Sequence, residues 1–272
     1  MILLVYLFSL LIRVAIGLWG YSGAGKPPMY GDFEAQRHWL EITINTPIGE
    51  WYKNTSDNDL LYWGLDYPPL TAYVSYFFGM VANLIFPPLV QLYSSRGHES
   101  DFGKFFMRAT VLLCDVIILF PFVKNLIYLL YKPKKSIYLN ILISLLSPSL
   151  LLIDHGHFQY NSVCIGLALA AIYYIVNGQH LLGSFFFCMS LNFKQMSLYY
   201  APVFFFILLR KCFDHAKRHG VLHGLVKLAS ISTVVFFSFF VLWFPFCYFP
   251  SPQDTCLSSS LQVEKIYYHI IK

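Results

Sequence analysis

Seven long apolar runs divide the chain: Ile2–Trp19 (interrupted by Arg13), Thr110–Tyr131, Ser136–Ile153, Ser162–Val176, Leu181–Phe193, Leu198–Leu209 and Val221–Phe249. A helix needs roughly 20 mostly apolar residues to cross a bilayer, since each residue advances it by only about 1.5 Å. The shorter runs read as spans whose polar ends are covered by neighbours. An eighth run, Leu70–Phe86, is ambiguous. Only 12% of the 272 residues are charged and 57% are hydrophobic, against about 25% charged in a soluble domain. So little charge can neither coat a water-soluble surface nor keep a chain disordered. The fold class expected is an all-α polytopic membrane protein.

The first run has no basic segment before it and no small-x-small cleavage site after it, so it predicts an uncleaved anchor. Six scattered cysteines, Cys114, Cys164, Cys188, Cys212, Cys247 and Cys256, form no C-x-x-C pair. They predict neither a disulfide framework nor a metal site. The net charge of +5 gives no basis for a nucleic-acid partner; its placement bears on orientation instead.

Segment 20–69 holds seven acidic residues and three basic ones, Lys26, Arg37 and Lys53. By contrast, Lys132-Pro133-Lys134-Lys135 is purely basic, and Arg210–Arg218 sets four basic residues against Asp214. The positive-inside rule puts both basic stretches in the cytosol. Parity then requires that Leu70–Phe86, introduced by the rigid Pro68-Pro69 turn, lies on or dips into the far leaflet. The expectation is about seven crossings plus a re-entrant or juxtamembrane segment. A large lumenal loop then spans about 20–109, and three polar clusters share its face: the loop itself, Asp154–Ser162, and Asn192–Met196. Asn54-Thr55-Ser56 in that loop is an N-glycosylation acceptor pattern, with Asn54 as the expected site.

The densest cluster runs from Tyr30 to Trp39. There Asp32, Glu34, Arg37 and His38 could supply a general base and ion-pair partners, or simply a solvated interfacial helix. If the segment is helical, Glu34 and His38 are i,i+4 neighbours, as are Arg37 and Glu41. Around Trp63–Leu70 the aromatics and prolines read as an anchor and turn. Asp66, with Tyr67 beside it, is a boundary carboxylate that needs a partner or a task. His155, His157, Gln159 and Asn161 offer hydrogen bonds of the kind sugar hydroxyls accept and donate; His-x-His with one Asp is a poor metal spacing. Lys194 either snorkels to the interface or holds a phosphate as a point charge. No Walker A, G-x-G-x-x-G, H-E-x-x-H or G-x-S-x-G pattern occurs, so nucleotide-driven chemistry has no visible site.

The runs YGDFEAQRHW (30–39), YWGLDYPPLTAY (62–73), SRGHES (95–100), DHGHFQYNS (154–162) and FKQM (193–196) closely resemble the dolichyl-phosphate-glucose-dependent α-1,3-glucosyltransferases of the endoplasmic reticulum. They match in order and with compatible spacing over roughly residues 10–210. The resemblance implies a GT-C type glycosyltransferase transmembrane module over 1–249, multi-pass in the endoplasmic reticulum membrane with a lumenal active site. It implies inverting transfer of glucose from dolichyl phosphate glucose to the terminal mannose of lipid-linked Man9GlcNAc2 in N-glycan precursor assembly. Transfer to Glc1Man9GlcNAc2 is the alternative within the family. Asp32 matches the family's general base. Glu34, Arg37, His38, Asp66, Tyr67, His155, His157, Gln159, Asn161 and Lys194 are the expected substrate contacts. No cofactor and no metal are implied; the partners are the two lipid-linked substrates and the bilayer.

Residues 250–272 diverge from the family, whose members are about twice this length and carry a late lumenal His-containing motif. The expectation drawn from this is a truncated form, with an inactive isoform as one alternative. A polytopic transporter or scaffold is another, although only Arg13 and Asp115 lie well inside predicted spans.

Overall fold

The computed structural model describes residues 1–131 and 136–248. Among these residues the chain is helical, with no strand. Nine helices carry the architecture: α1 (Ile2–Gly17), α2 (Gly31–Asn45), α3 (Pro69–Ile85), α4 (Asp101–Leu130), α5 (Ile137–Phe158), α6 (Asn161–Val176), α7 (His180–Phe193), α8 (Gln195–His219) and α9 (Val221–Tyr248). Of these, α4, α5, α8 and α9 are long and apolar enough to cross a membrane; α1, α3, α6 and α7 are shorter apolar helices. Leu3, Leu4, Leu7 and Leu11 on α1, Phe205 and Phe206 on α8, and Phe236, Phe237 and Phe240 on α9 are exposed. Apolar surface on that scale is unfavourable in water and natural against lipid.

Three boundaries differ from the sequence reading. Helix α4 starts at Asp101, not Thr110, because Ser100 caps it by accepting from the Gly103 amide (3.1 Å), and because its polar first turns bury Gly103, Phe106 and Met107. Helix α5 does not end at Ile153; after the break at Pro148 it rewinds as a π-helix over Leu151–Phe158, so Asp154–Phe158 of the Asp154–Ser162 cluster form the helix's own last turns. Arg210–Arg218 is not a loop but the end of α8, which reverses into α9 at Gly220. The basic segment 132–135 and the divergent tail 250–272, with Cys256, lie outside the described residues. Cys114, Cys164, Cys188 and Cys212 are buried free thiols, and Cys247 is exposed.

Helices α6 and α7 form an antiparallel hairpin whose close approach depends on Gly183. A Cβ there would come within 2.4 Å of Ile175 Cγ1 and 3.1 Å of the Ala171 carbonyl. Small residues let membrane helices approach in this way. The main core joins Phe33 and Leu40 of α2 to Phe78, Met107, Val111, Phe158, Val163 and Phe193. A second core binds α1 to α4 and α5 through Val5, Phe120, Ile127 and Ile141. The end of α9 reaches the large loop: Phe246 packs on Trp51 and Tyr52, and Tyr73 Oη donates to the Leu242 carbonyl (2.7 Å). The ends of α1, α5, α7 and α9 and the starts of α4, α6 and α8 therefore gather around α2 and α3.

Candidate active site

Asp32 is placed by the abrupt start of α2. Gly31 adopts φ +69°, and a Cβ there would sit 2.8 Å from the Ser22 carbonyl and 2.9 Å from Gly23 Cα, so only glycine fits. Asp32 follows in the first helical turn, where a carboxylate suits the free amides, and its amide lies 3.4 Å from Ser22 Oγ. Its Oδ2 accepts hydrogen bonds from His157 Nε2 (2.9 Å) and Gln159 Nε2 (2.7 Å). The Asp32 side chain keeps 37% of its surface open to the outside. A reacting hydroxyl can therefore reach it.

The arm that carries His157 and Gln159 is built by the π-helical end of α5. Phe158 has φ +97°, a conformation costing a bulky residue about 1–3 kcal/mol. Full burial against Phe33 and Tyr160, with the Arg108 guanidinium over its ring at 5.5 Å, holds it there. Winding as a π-helix frees backbone groups that need partners. Arg108 donates to the Gly156 carbonyl (2.9 Å). Asp154 caps α6, with Oδ1 accepting from the Asn161 amide (3.1 Å) and Oδ2 from the Ser162 amide (2.6 Å). His157 and Gln159 thus emerge on either side of the buried Phe158 and bracket Asp32.

Lys194, in extended backbone just past α7, completes the cluster. Its Nζ donates to Asn161 Oδ1 (2.7 Å) and Gln159 Oε1 (3.3 Å) and lies 4.6 Å from the centre of the Tyr67 ring. Tyr67 Oη also approaches Gln159 Oε1 at 3.5 Å. Burial lowers the Lys194 pKa, while the charges of Asp154, Asp66 and Asp32 act in the opposite direction. Burial, then Asp66 and Asp32, push the Tyr67 phenol upward, so it stays a neutral donor. The Gln159 amide links carboxylate and cation, since its nitrogen binds Asp32 and its oxygen binds Lys194.

Other expected contacts have different places. Glu34, Arg37 and His38 are almost fully buried on α2. Arg37 forks onto Glu34 (2.7 and 2.6 Å) and reaches Glu41 (2.7 Å), Ser95 Oγ (2.6 Å) and the Leu89 carbonyl (2.9 Å). Glu34 also accepts from Tyr62 Oη (2.9 Å) and the Gly97 amide (3.0 Å), and Glu41 accepts from His38 (3.1 Å) and the Tyr93 amide (2.9 Å). Helical spacing pairs Arg37 with Glu41 as expected, but Glu34 takes Arg37 rather than His38. This knot ties the 89–97 segment to α2; it does not face the opening at Asp32. His155 is 2% exposed in its side chain and bonded to Asp115. Asp66 is exposed, and so is Asn54, whose Oδ1 accepts from the Leu60 amide (3.2 Å). Tyr62, Ser95, Arg108 and Asp154 have no supporting role in the sequence reading; Tyr62, Ser95 and Asp154 lie within its family-like runs, whereas Arg108 leaves no sequence signal. Among the described residues no group of three or more His, Cys, Asp or Glu could hold a metal ion.

A family model described as the ALG6, ALG8 glycosyltransferase family matches residues 9–260. The chain is 51% identical over 249 residues to a protein of Dictyostelium discoideum named "Probable dolichyl pyrophosphate Man9GlcNAc2 alpha-1,3-glucosyltransferase", covering 90% of this chain and 48% of that one. It is 52% identical over 248 residues to the "Dolichyl pyrophosphate Man9GlcNAc2 alpha-1,3-glucosyltransferase" of Gallus gallus, covering 89% and 47%. Against the protein of the same name from Mus musculus the identity is 51% over 244 residues, covering 89% and 47%. The chain spans about half the length of the curated relatives it matches. On the family match and these identities, the chain belongs to the ALG6, ALG8 glycosyltransferase family.

Proposed function

We propose that the chain transfers glucose from dolichyl phosphate glucose to the terminal mannose of lipid-linked Man9GlcNAc2, with inversion, at the lumenal face of the endoplasmic reticulum membrane. The observation that carries this reading is the half-open Asp32 carboxylate, gripped on one oxygen by His157 and Gln159. The acceptor hydroxyl attacks C1 of the β-linked glucose from the face opposite the phosphate. Its oxygen forms the new α-1,3 bond, its proton passes to Asp32, and dolichyl phosphate leaves with the electron pair of the broken C1–O bond. The leaving group is already ionised, so it needs positive charge rather than an acid. Lys194 supplies that charge, and Tyr67, Asn161 and Asp66 lie where sugar hydroxyls would meet them. Glu34, Arg37, His38 and His155 take supporting roles.

An apolar groove of about 630 Å³ between α6 and α8 is lined by Ile165, Leu169, Met196 and Val203 and begins beside the Lys194 segment. It suits the polyprenyl chain of a donor whose phosphate rests at Lys194. With the purified chain in liposomes, product should form from dolichyl phosphate glucose and Man9GlcNAc2 lipid. It should not form with UDP-glucose as donor. Preference for Glc1Man9GlcNAc2 lipid would move the chain to the second step. Lys194→Met should lower kcat/KM by about 10–100-fold, with Lys194→Arg regaining part of it. Equal rates for Met and parent would remove Lys194 from phosphate binding.

The topology we propose has α1 and α4 to α9 crossing, seven in all, with α3 held at the lumenal face against α2. Support comes from parity: this count puts Asp32, His157 and Lys194 on one side and the basic end of α8 on the other. Exposed Asn54 then lies in the lumen, available for glycosylation. A cysteine at position 100 should resist a membrane-impermeant thiol reagent added from the cytosol, in a background lacking Cys247 and Cys256. Labelling there would reverse the assignment.

A further inference from the structure

Three charged or titratable groups meet deep between α1, α4 and α5, where no step above uses them. Arg13 Nε lies 2.5 Å from Asp115 Oδ2, and His155 Nε2 donates to the same oxygen at 2.9 Å. All three side chains are 2% exposed or less. Arg13 also donates to the carbonyls of Leu145 (2.9 Å) and Ser9 (3.2 Å), and its guanidinium lies over the Phe120 ring at 4.9 Å. Burying such groups within membrane helices is costly, and apolar residues of the same volume would serve stability as well or better. Both partners of the Asp115–His155 bond lie in π-helical segments, Asp115–Leu119 and Leu151–Phe158. Such windings are rare and gather at functional sites.

The placement supplies the reason. Residues two apart on a helical turn face nearly opposite sides, so the arm that turns His155 inward to Asp115 turns His157 outward to Asp32. Arg108 fixes the Gly156 carbonyl between them, and α1 packs along the same segment. We propose that Asp115, held by Arg13, is a positioning residue that acts through His155 to set where His157 and Gln159 hold the Asp32 carboxylate. The proposal rests on Asp32 being the base of glucose transfer, but its geometric core, the coupling of Asp115 to His157, is independent of that reading.

The test labels imidazoles of the 272-residue chain in membranes with diethyl pyrocarbonate and reads each site by mass spectrometry, with exposed His223 as the internal standard. In the parent, His155 should be protected and His157 reactive. Asp115→Asn should raise labelling at His155 about tenfold and move the His157 rate toward that of Asp32→Asn, with buried Cys188 and Cys212 still shielded. An unchanged His157 rate in Asp115→Asn overturns the proposal. Should that variant fail to fold, Arg13→Lys keeps the charge but cannot hold Asp115 and the Ser9 and Leu145 carbonyls together, and a parent-like His157 rate there overturns it equally. In glucose transfer, Asp115→Asn should lower kcat about 10–100-fold while KM changes less than about threefold. Normal transfer by Asp32→Asn would sink the functional reading and leave the labelling result standing.

Discussion

Replacing Asp32 with Asn is expected to lower glucose transfer by about 10³-fold, a barrier increase of about 4 kcal/mol. Asn has almost the same shape, and its amide oxygen can still accept from His157 or Gln159, so the site should stay assembled. What it lacks is a lone pair basic enough to take the acceptor proton as the C1–O bond forms. The loss should fall on kcat, with the acceptor KM moving by less than about threefold, because the groups proposed to bind substrate, Lys194, Asn161 and Tyr67, are untouched. Asp66→Asn makes the contrasting case. That carboxylate is exposed and reaches the cluster by its charge on Tyr67 and Lys194, so its loss should cost about tenfold or less. Rates for the two variants, normalised to folded protein, separate the roles. If they were equal, or if Asp32→Asn kept more than a third of parent activity, the proton would have another destination.

Much of this site was legible because membrane proteins spend charge sparingly. Asp32, Gln159, Asn161 and Lys194 stood out against apolar sequence, and the structure brings them within one hydrogen-bonded cluster although they are up to 162 positions apart. The illegible part has a specific cause. The polar run Asp154–Ser162 follows an apolar run and reads as a loop, whereas Leu151–Phe158 is π-wound, so the sequence offered no helix on which to place His155 inward and His157 outward. Likewise the pattern of α2 reads as a solvated amphipathic helix, because Glu34, Arg37, His38 and Glu41 look like surface residues. They are buried because long-range partners on Tyr62, Ser95 and Gly97 satisfy them, and such partners leave no local trace. The start of α4 was missed for a similar reason: its polar first turns pack against the loop rather than against lipid.

Arg37→Met should be the most destabilising single change in the large loop, at about 3–5 kcal/mol. Methionine fills similar volume, so the penalty isolates charge and hydrogen bonding: Glu34 and Glu41 would remain buried with no cation, and Ser95 and the Leu89 carbonyl would lose their donor. The pH dependence has a definite sign. In the parent the Glu41 carboxyl titrates at about 2; burial would raise it, but the hydrogen bond from His38 and the charge of Arg37 outweigh burial. A carboxylate depressed this far contributes about 3 kcal/mol above the ordinary Glu range near 4.3, and that contribution fades as pH falls from there toward 2. Without Arg37, part of what offsets burial at Glu41 is gone, so its carboxylate loses most of this contribution. The stability gap between parent and Arg37→Met should therefore hold from pH 8 to about 5 and narrow as pH falls below about 4.3 toward 2. Thermal unfolding midpoints in detergent across that range measure it. Replacing Glu34, Arg37 and Glu41 together with apolar residues should recover most of the loss, because the cost lies in stranded charge rather than in the absence of an ion pair. A gap that stays constant with pH, or a triple variant no better than Arg37→Met, would show that the knot holds the loop by shape rather than by charge.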